Sequence, residues 1–229
     1  MCSSDLQHAR TIVTALQPAH EMTVLTSCAA DATTWAMAYP PGETQEGGVR
    51  VRRFAHGLRN EGGRARVPLR HKLRLFAAAL LDALHLERVA QPTGDDRLDG
   101  HEFLRRQGPA CHDLVEHLRQ AAQHYDAVLF MTALYLPTAE GLPACNAPSV
   151  LVPTLHDEKP MYLPWFRRVF AAAGETLYNT AAERRLARRL YGANAREGRL
   201  VGVGVDAVLP PDAAALRARH ALPERYVVY

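Results

Sequence analysis

Ser149-Val150-Leu151-Val152-Pro153-Thr154-Leu155-His156-Asp157-Glu158 is a short apolar run that gives way abruptly to polar and charged residues. A continuous apolar run of this length, without alternation, suits a strand covered on both faces, as in a parallel sheet. Residues 126–131 (DAVLFM) form a second run of the same kind. The polar cluster behind residues 149–153 then stands at the carboxyl end of a buried strand, where open α/β sheets meet their ligands. The strand fixes a side chain there while the loop exposes it, which suits an imidazole or carboxylate that must meet a ligand hydroxyl. Asp157 and Glu158 also have a plainer reading, since negative charge favours the positive end of a following helix. The residues alone leave both open.

Working outward, Leu6, Ala9, Ile12, Val13 and Leu16 recur at helical spacing, with Ser4 and Gln7 placed for a capping box. Residues 22–25 form an apolar run and residues 49–54 alternate as a half-buried strand does, with a polar, Pro/Gly-rich loop carrying Trp35 and Tyr39 between them. Apolar periodicity predicts helices over 69–86 and 110–123, while 89–108 is polar and carries no pattern. A helix over 163–173, a strand over 175–178 and a basic helix over 181–191 follow, the last opened by the capping pair Thr180 and Glu183. A strand over 199–203, a short helix over 212–220 and the start of a strand at 225–229 (RYVVY) complete the chain. Strands alternating with helices predict a Rossmann-like, doubly wound parallel sheet. Residues 1–208 form that domain and residues 209–229 a linker into further structure.

With 229 residues, 48% apolar and 22% charged, the chain can bury a substantial core, and disorder is not expected. The formal charge of +3 is small, and Lys72 and Lys159 are the only lysines, so composition argues weakly for a polyanionic partner. Cys2, Cys28, Cys111 and Cys145 are scattered without a C-x-x-C pair, and no secretory pattern precedes them, which points to a reducing, cytoplasmic setting. The longest apolar stretches fall short of the roughly 20 residues a membrane span needs, although peripheral contact with a membrane stays open.

Other motifs have bland explanations. His112, Glu116 and His117 share a helix but lack metal-ligand spacing, so no metal is expected. Residues 202–207 (GVGVDA) satisfy G-x-G-x-x-A formally, yet Pro210 and Pro211 follow where a helix is needed, so a strand-end turn is the better account. Arg184, Arg185, Arg188 and Arg189 make a basic helix face that could touch phosphate, but no nucleic-acid-binding motif accompanies it, and no nucleic acid partner is expected.

His20-Glu21-Met22-Thr23-Val24-Leu25-Thr26 resembles the GHEVTVLT segment of retaining glycosyltransferases with the GT-B fold (glycosyltransferase family 4, group 1 type). Further blocks agree in order and spacing over nearly the whole chain: Tyr125-Asp126-Ala127-Val128, residues 148–158, Tyr178-Asn179-Thr180-Ala181-Ala182-Glu183, and Val203-Gly204-Val205-Asp206. The resemblance implies the N-terminal, acceptor-side domain of such an enzyme. A sugar would pass with retention from a nucleotide sugar to a hydroxyl of a glycan, lipid or small-molecule acceptor, with no cofactor beyond the donor substrate. By position, His156 matches the histidine that lines the acceptor and transfer site, and Asp157, Glu158 and Tyr135 are placed beside it by inference as acceptor contacts. Gly202 and Val203 depart from the family's turn.

That family begins with a strand and a Gly-rich loop, where residues 1–5 here show neither, and it continues into a donor domain where this chain stops. The expectation is an incomplete piece, inactive alone, whose second strand lacks its neighbour. A buried, unpaired backbone group costs about 1–3 kcal/mol, so a poorly stable fragment is expected. The rival from another class is a non-catalytic α/β module that binds an acceptor or partner. A third reading, nucleic-acid binding through the 184–189 face, predicts a steep salt dependence.

Overall fold

The computed structural model describes residues 3–32, 34–57, 97–204, 213–223 and 225, and its strands fall into two sheets. In the first, β1 (Thr23–Ser27) runs parallel to β3 (Val49–Phe54), and β2 (Gly42–Glu46) pairs antiparallel with β3. In the second, β4 (Val128–Met131), β5 (Ser149–Val152), β6 (Glu175–Tyr178) and β7 (Arg199–Leu200) are all parallel, in that order. The helices are α1 (Ser3–Leu16), α2 (Arg97–Gln107), α3 (His112–Ala121), α4 (Leu136–Ala144), α5 (Phe166–Ala172), α6 (Ala181–Tyr191) and α7 (Ala213–His220).

This is a mixed α/β fold with a helix-flanked parallel sheet, compatible with a Rossmann-like arrangement. The single doubly wound sheet expected from the sequence is seen only in part. Among the described residues β1 has one strand partner, β3, and β4 has one, β5. Among the described residues each is therefore an edge, and Leu129 on β4 is 36% exposed where a central strand would cover it.

The core lies over the second sheet. Leu151 and Val152 of β5 are at most 1% exposed, as the unbroken apolar run requires. Helix α3 packs on α4, and α4 on α5. Phe166, Phe170 and Tyr178 are fully buried, and Phe170 stacks on Tyr191 with ring centroids 4.4 Å apart. Burial of each such ring contributes about 2–3 kcal/mol. The buried hydroxyls stay paired, Tyr191 donating to the Met161 carbonyl at 2.7 Å and Tyr178 to the Arg196 carbonyl at 3.0 Å.

Several elements differ from the sequence reading. Residues 97–107, within the patternless stretch, form α2, where a Cβ on Gly100 would lie 2.4 Å from Trp165 Cβ. Helix α4 forms although Pro137, Gly141 and Pro143 all disfavour one, because Leu136, Ala139 and Leu142 are buried. The loop between β1 and β3 contains β2, joined to β3 through Gly47 and Gly48, both at positive φ as a two-residue hairpin turn needs. The helix expected over 69–86 lies outside the described residues, as do residues 226–229 of the last predicted strand.

Candidate functional site

Just past the ends of the adjacent strands β4 and β5 stand two threonines with positive φ, Thr132 at 63° and Thr154 at 45°. A β-branched residue is strained in that region, so two side by side are a local anomaly that the surroundings must hold. Thr154 Oγ1 donates to Thr132 Oγ1 at 3.0 Å, tying the two strand ends together. The Thr132 amide donates to the Val152 carbonyl at 3.0 Å and the Ala133 amide to the Pro153 carbonyl at 2.9 Å, so the ladder continues past the regular strands.

The next residues are held from the other side by Glu183, which is only 6% exposed. Its carboxylate accepts the Leu155 amide at 2.8 Å and the Asn179 amide at 2.6 Å, joining the carboxyl ends of β5 and β6. Thr180 Oγ1 caps α6 in return by accepting the Glu183 amide at 3.0 Å. Burial pushes the Glu183 pKa up, while the amides of Leu155, Asn179 and Thr180, and then His156, pull it back down.

Above this frame lies a cleft of about 850 Å³, lined among others by Thr154, His156, Asp157, Asn179 and Arg185. A volume of that size is in the range of small-molecule sites. His156 is exposed on the cleft wall, and its ring makes no hydrogen bond to the described residues. Asp157 accepts the Tyr162 hydroxyl at 2.7 Å and an Arg189 Nη2–H at 2.9 Å. Burial first, and then the bond and charge of Asp157, push Tyr162 up to about 12 against the opposing pull of Arg189. Asn179 Oδ1 is buried with no hydrogen-bond partner among the described residues.

His156 and Asp157, singled out in the sequence, therefore share the cleft. Glu158 is half-buried beside it, its amide on the His156 carbonyl at 2.9 Å and its carboxyl pKa raised by burial. Tyr135 lies after β4 at the start of α4 and meets Trp35 edge-on at 5.5 Å. Thr154, from the strand-end polar cluster, and Arg185, from the basic helix face, also line the cleft, as do Asn179 and, from α1, His8, which were not singled out. The capping pattern pointed to Glu183 as a helix start only, because its reach to Leu155 is a tertiary contact.

The basic face of α6 is largely neutralised. Arg184 and Arg188 both engage Glu197, and Arg189 engages Asp157. On α3, Glu116 is held by Arg119 and Gln120, and the His117 ring bonds the Tyr125 hydroxyl at 3.0 Å.

Fold and site define the class as a mixed α/β domain with a cleft at the carboxyl ends of parallel strands, its wall carrying both apolar and polar side chains. Comparison with family models, with curated proteins and with solved structures returned no match.

Proposed function

We propose that this chain forms the acceptor-binding side of a retaining sugar-transfer enzyme, holding a hydroxylated acceptor in the cleft against His156 while a nucleotide sugar is held by a second, facing domain. The observation that supports it is the support given to His156. Its segment is tied to β4 through Thr154 and Thr132 and to α6 through Leu155 and Glu183. With the backbone held on such a shelf, only the rotamers of the side chain remain to be fixed when it meets a ligand, which lowers the entropic cost of aligning an acceptor hydroxyl for attack. Neutral imidazole can accept that hydroxyl's hydrogen bond or its proton. The nucleotide sugar and the acceptor class are what the sequence resemblance implies, and the cytoplasmic setting rests on the scattered cysteines without a secretory pattern. Among the described residues no helix is long and apolar enough to cross a membrane.

The test is saturation-transfer NMR of the 229-residue chain with a panel of mono- and disaccharides, repeated on His156→Ala. Binding that weakens about tenfold or more in the variant, with an unchanged melting temperature, supports the reading. Carbohydrate binding indifferent to His156, or none, overturns it. Release of nucleoside diphosphate from added nucleotide sugars then separates an enzyme from a binding module.

A further inference from the structure

We propose that the ligand selected by this cleft is an anionic polyol, a carbohydrate or similar molecule bearing a phosphate or carboxylate, with its acid group on Arg185 and one hydroxyl donated to Asn179 Oδ1. This rests on the acceptor reading above and narrows its substrate class. Two independent features carry it.

The first is the distribution of charge along α6. Of its four arginines, Arg184 and Arg188 share Glu197 and Arg189 holds Asp157. Arg185 lines the cleft and has no carboxylate partner among the described residues. A guanidinium presents its N–H groups in a planar fork that matches phosphate or carboxylate in two-point geometry. A neutral ligand leaves that fork hydrated and gains little from it.

The second is Asn179. Its backbone N–H donates to the Glu183 carboxylate, while the side-chain Oδ1 is buried with no donor facing it from the described residues. A buried acceptor of this kind calls for a donor; Asn179 lines the cleft, and a turn of its side-chain amide about χ2 would bring Oδ1 to a ligand hydroxyl, a donor that an ionised anion does not supply. The two groups therefore want opposite ends of one molecule. The helix N-terminus is not itself the anion site, because the Glu183 carboxylate, on the amides of Asn179 and Thr180 just before the helix, already places a negative charge there. From Thr180 to Arg185 the helix rises about 7–8 Å, comparable to the span of a pyranose bearing an acidic substituent. Ala182 and Leu186, on the same wall, offer an apolar surface between the two polar ends.

The experiment is a calorimetric titration of the 229-residue chain with glucose 6-phosphate, glucuronate, glucose and inorganic phosphate, repeated on Arg185→Gln and His156→Ala. The expected result is that at least one anionic sugar binds about tenfold tighter than glucose, that Arg185→Gln removes the preference but not the residual sugar binding, and that inorganic phosphate binds weakly. The first two arms tell a phosphate from a carboxylate preference. Glucose binding as tightly as both anionic sugars, unchanged in Arg185→Gln but weakened in His156→Ala, overturns the anionic inference and leaves the acceptor reading standing. Inorganic phosphate binding as tightly as the sugar phosphate overturns the polyol half. No sugar bound in any form overturns both. Because Arg185 is exposed, the Gln variant is expected to keep its melting temperature, which reports its folding independently.

Discussion

The Glu183 carboxylate stands 2.8 Å from the Leu155 amide, a bond between residues 28 apart in sequence that fixes the segment carrying His156. Glu183→Gln keeps one acceptor oxygen but turns an NH2 group toward a second amide donor, that of Asn179 or Leu155. One buried amide then loses its partner, at about 1–3 kcal/mol. The pH dependence is distinctive. Burial raises the carboxyl pKa above its ordinary 4.5, so the folded state holds the proton longer than the unfolded chain. The stability contributed by this group is then full below the unfolded value and is lost as pH rises through the raised folded one. Gln does not titrate, so the wild-type advantage over the variant is largest in acid and shrinks toward neutrality. Urea denaturation of both proteins at matched pH reads this difference, and an advantage that grows with pH would show that the amide bonds outweigh burial.

Asp157→Asn tests the outer wall of the cleft. The Tyr162 pKa of about 12 has burial as its largest cause and the Asp157 bond and charge next. Removing the charge lowers that value while leaving it above 10, since burial remains. A difference titration of tyrosinate absorbance between wild type and variant detects the shift. Arg189 and Asp157 are 41% and 58% exposed, so stability changes by less than about 1 kcal/mol. An unmoved tyrosine titration would mean that the pair is not made in solution.

Local patterns made part of this legible. The apolar run of β5, the short strand β6 and the capped helix α6 were all placed by residues within or beside them, and the observed α6 begins and ends as its pattern predicts. Helix α4 was hidden because Pro137, Gly141 and Pro143 work against it, and only packing makes it form. A Cβ on Gly141 would lie 2.8 Å from Leu118 Cδ1, a closeness that the sequence does not reveal. Strand β2 was missed for lack of apolar alternation, its five residues being exposed, although the Gly47-Gly48 turn carried a hairpin signal. At the site, His156 and Asp157 could be found because strand ends present side chains to ligands. Arg185 was legible only as one of four arginines on a basic face, and what sets it apart, the lack of a carboxylate partner among the described residues, is tertiary, as is the unpaired Oδ1 of Asn179.

Cys111 is fully buried, and burial first, then the proximity of Cys28 and Asp113, raises its thiol pKa to about 12. At neutral pH roughly one part in 10^5 of it is thiolate, the only form that alkylates at a useful rate. Iodoacetamide is therefore expected to leave Cys111, and the equally buried Cys28, unmodified in the native protein and to label both in denaturant. Peptide mass mapping of the labelled sites checks this. Rapid native labelling of Cys111 would mean that α3 opens from the core far more readily than its packing implies.

Thr154 separates stability from function at the site. Its φ of 45° is costly for a β-branched residue, about 1–2 kcal/mol, and glycine removes that cost. Thr154→Gly also loses the bond to Thr132 and adds freedom to the unfolded chain, each about 1 kcal/mol, so its net effect is expected to be small. Thr154→Val keeps the strain and leaves the Thr132 hydroxyl, only 5% exposed, without this donor, and it is expected to lose about 1–3 kcal/mol. Urea midpoints should therefore rank wild type and Gly together, well above Val. Sugar binding should follow a different order, because glycine frees the backbone two residues before His156 and loosens the shelf even where stability is kept. If the Gly variant is as unstable as Val, the positive φ stores no strain. If it binds as tightly as wild type, the shelf beneath His156 does not depend on the threonine pair.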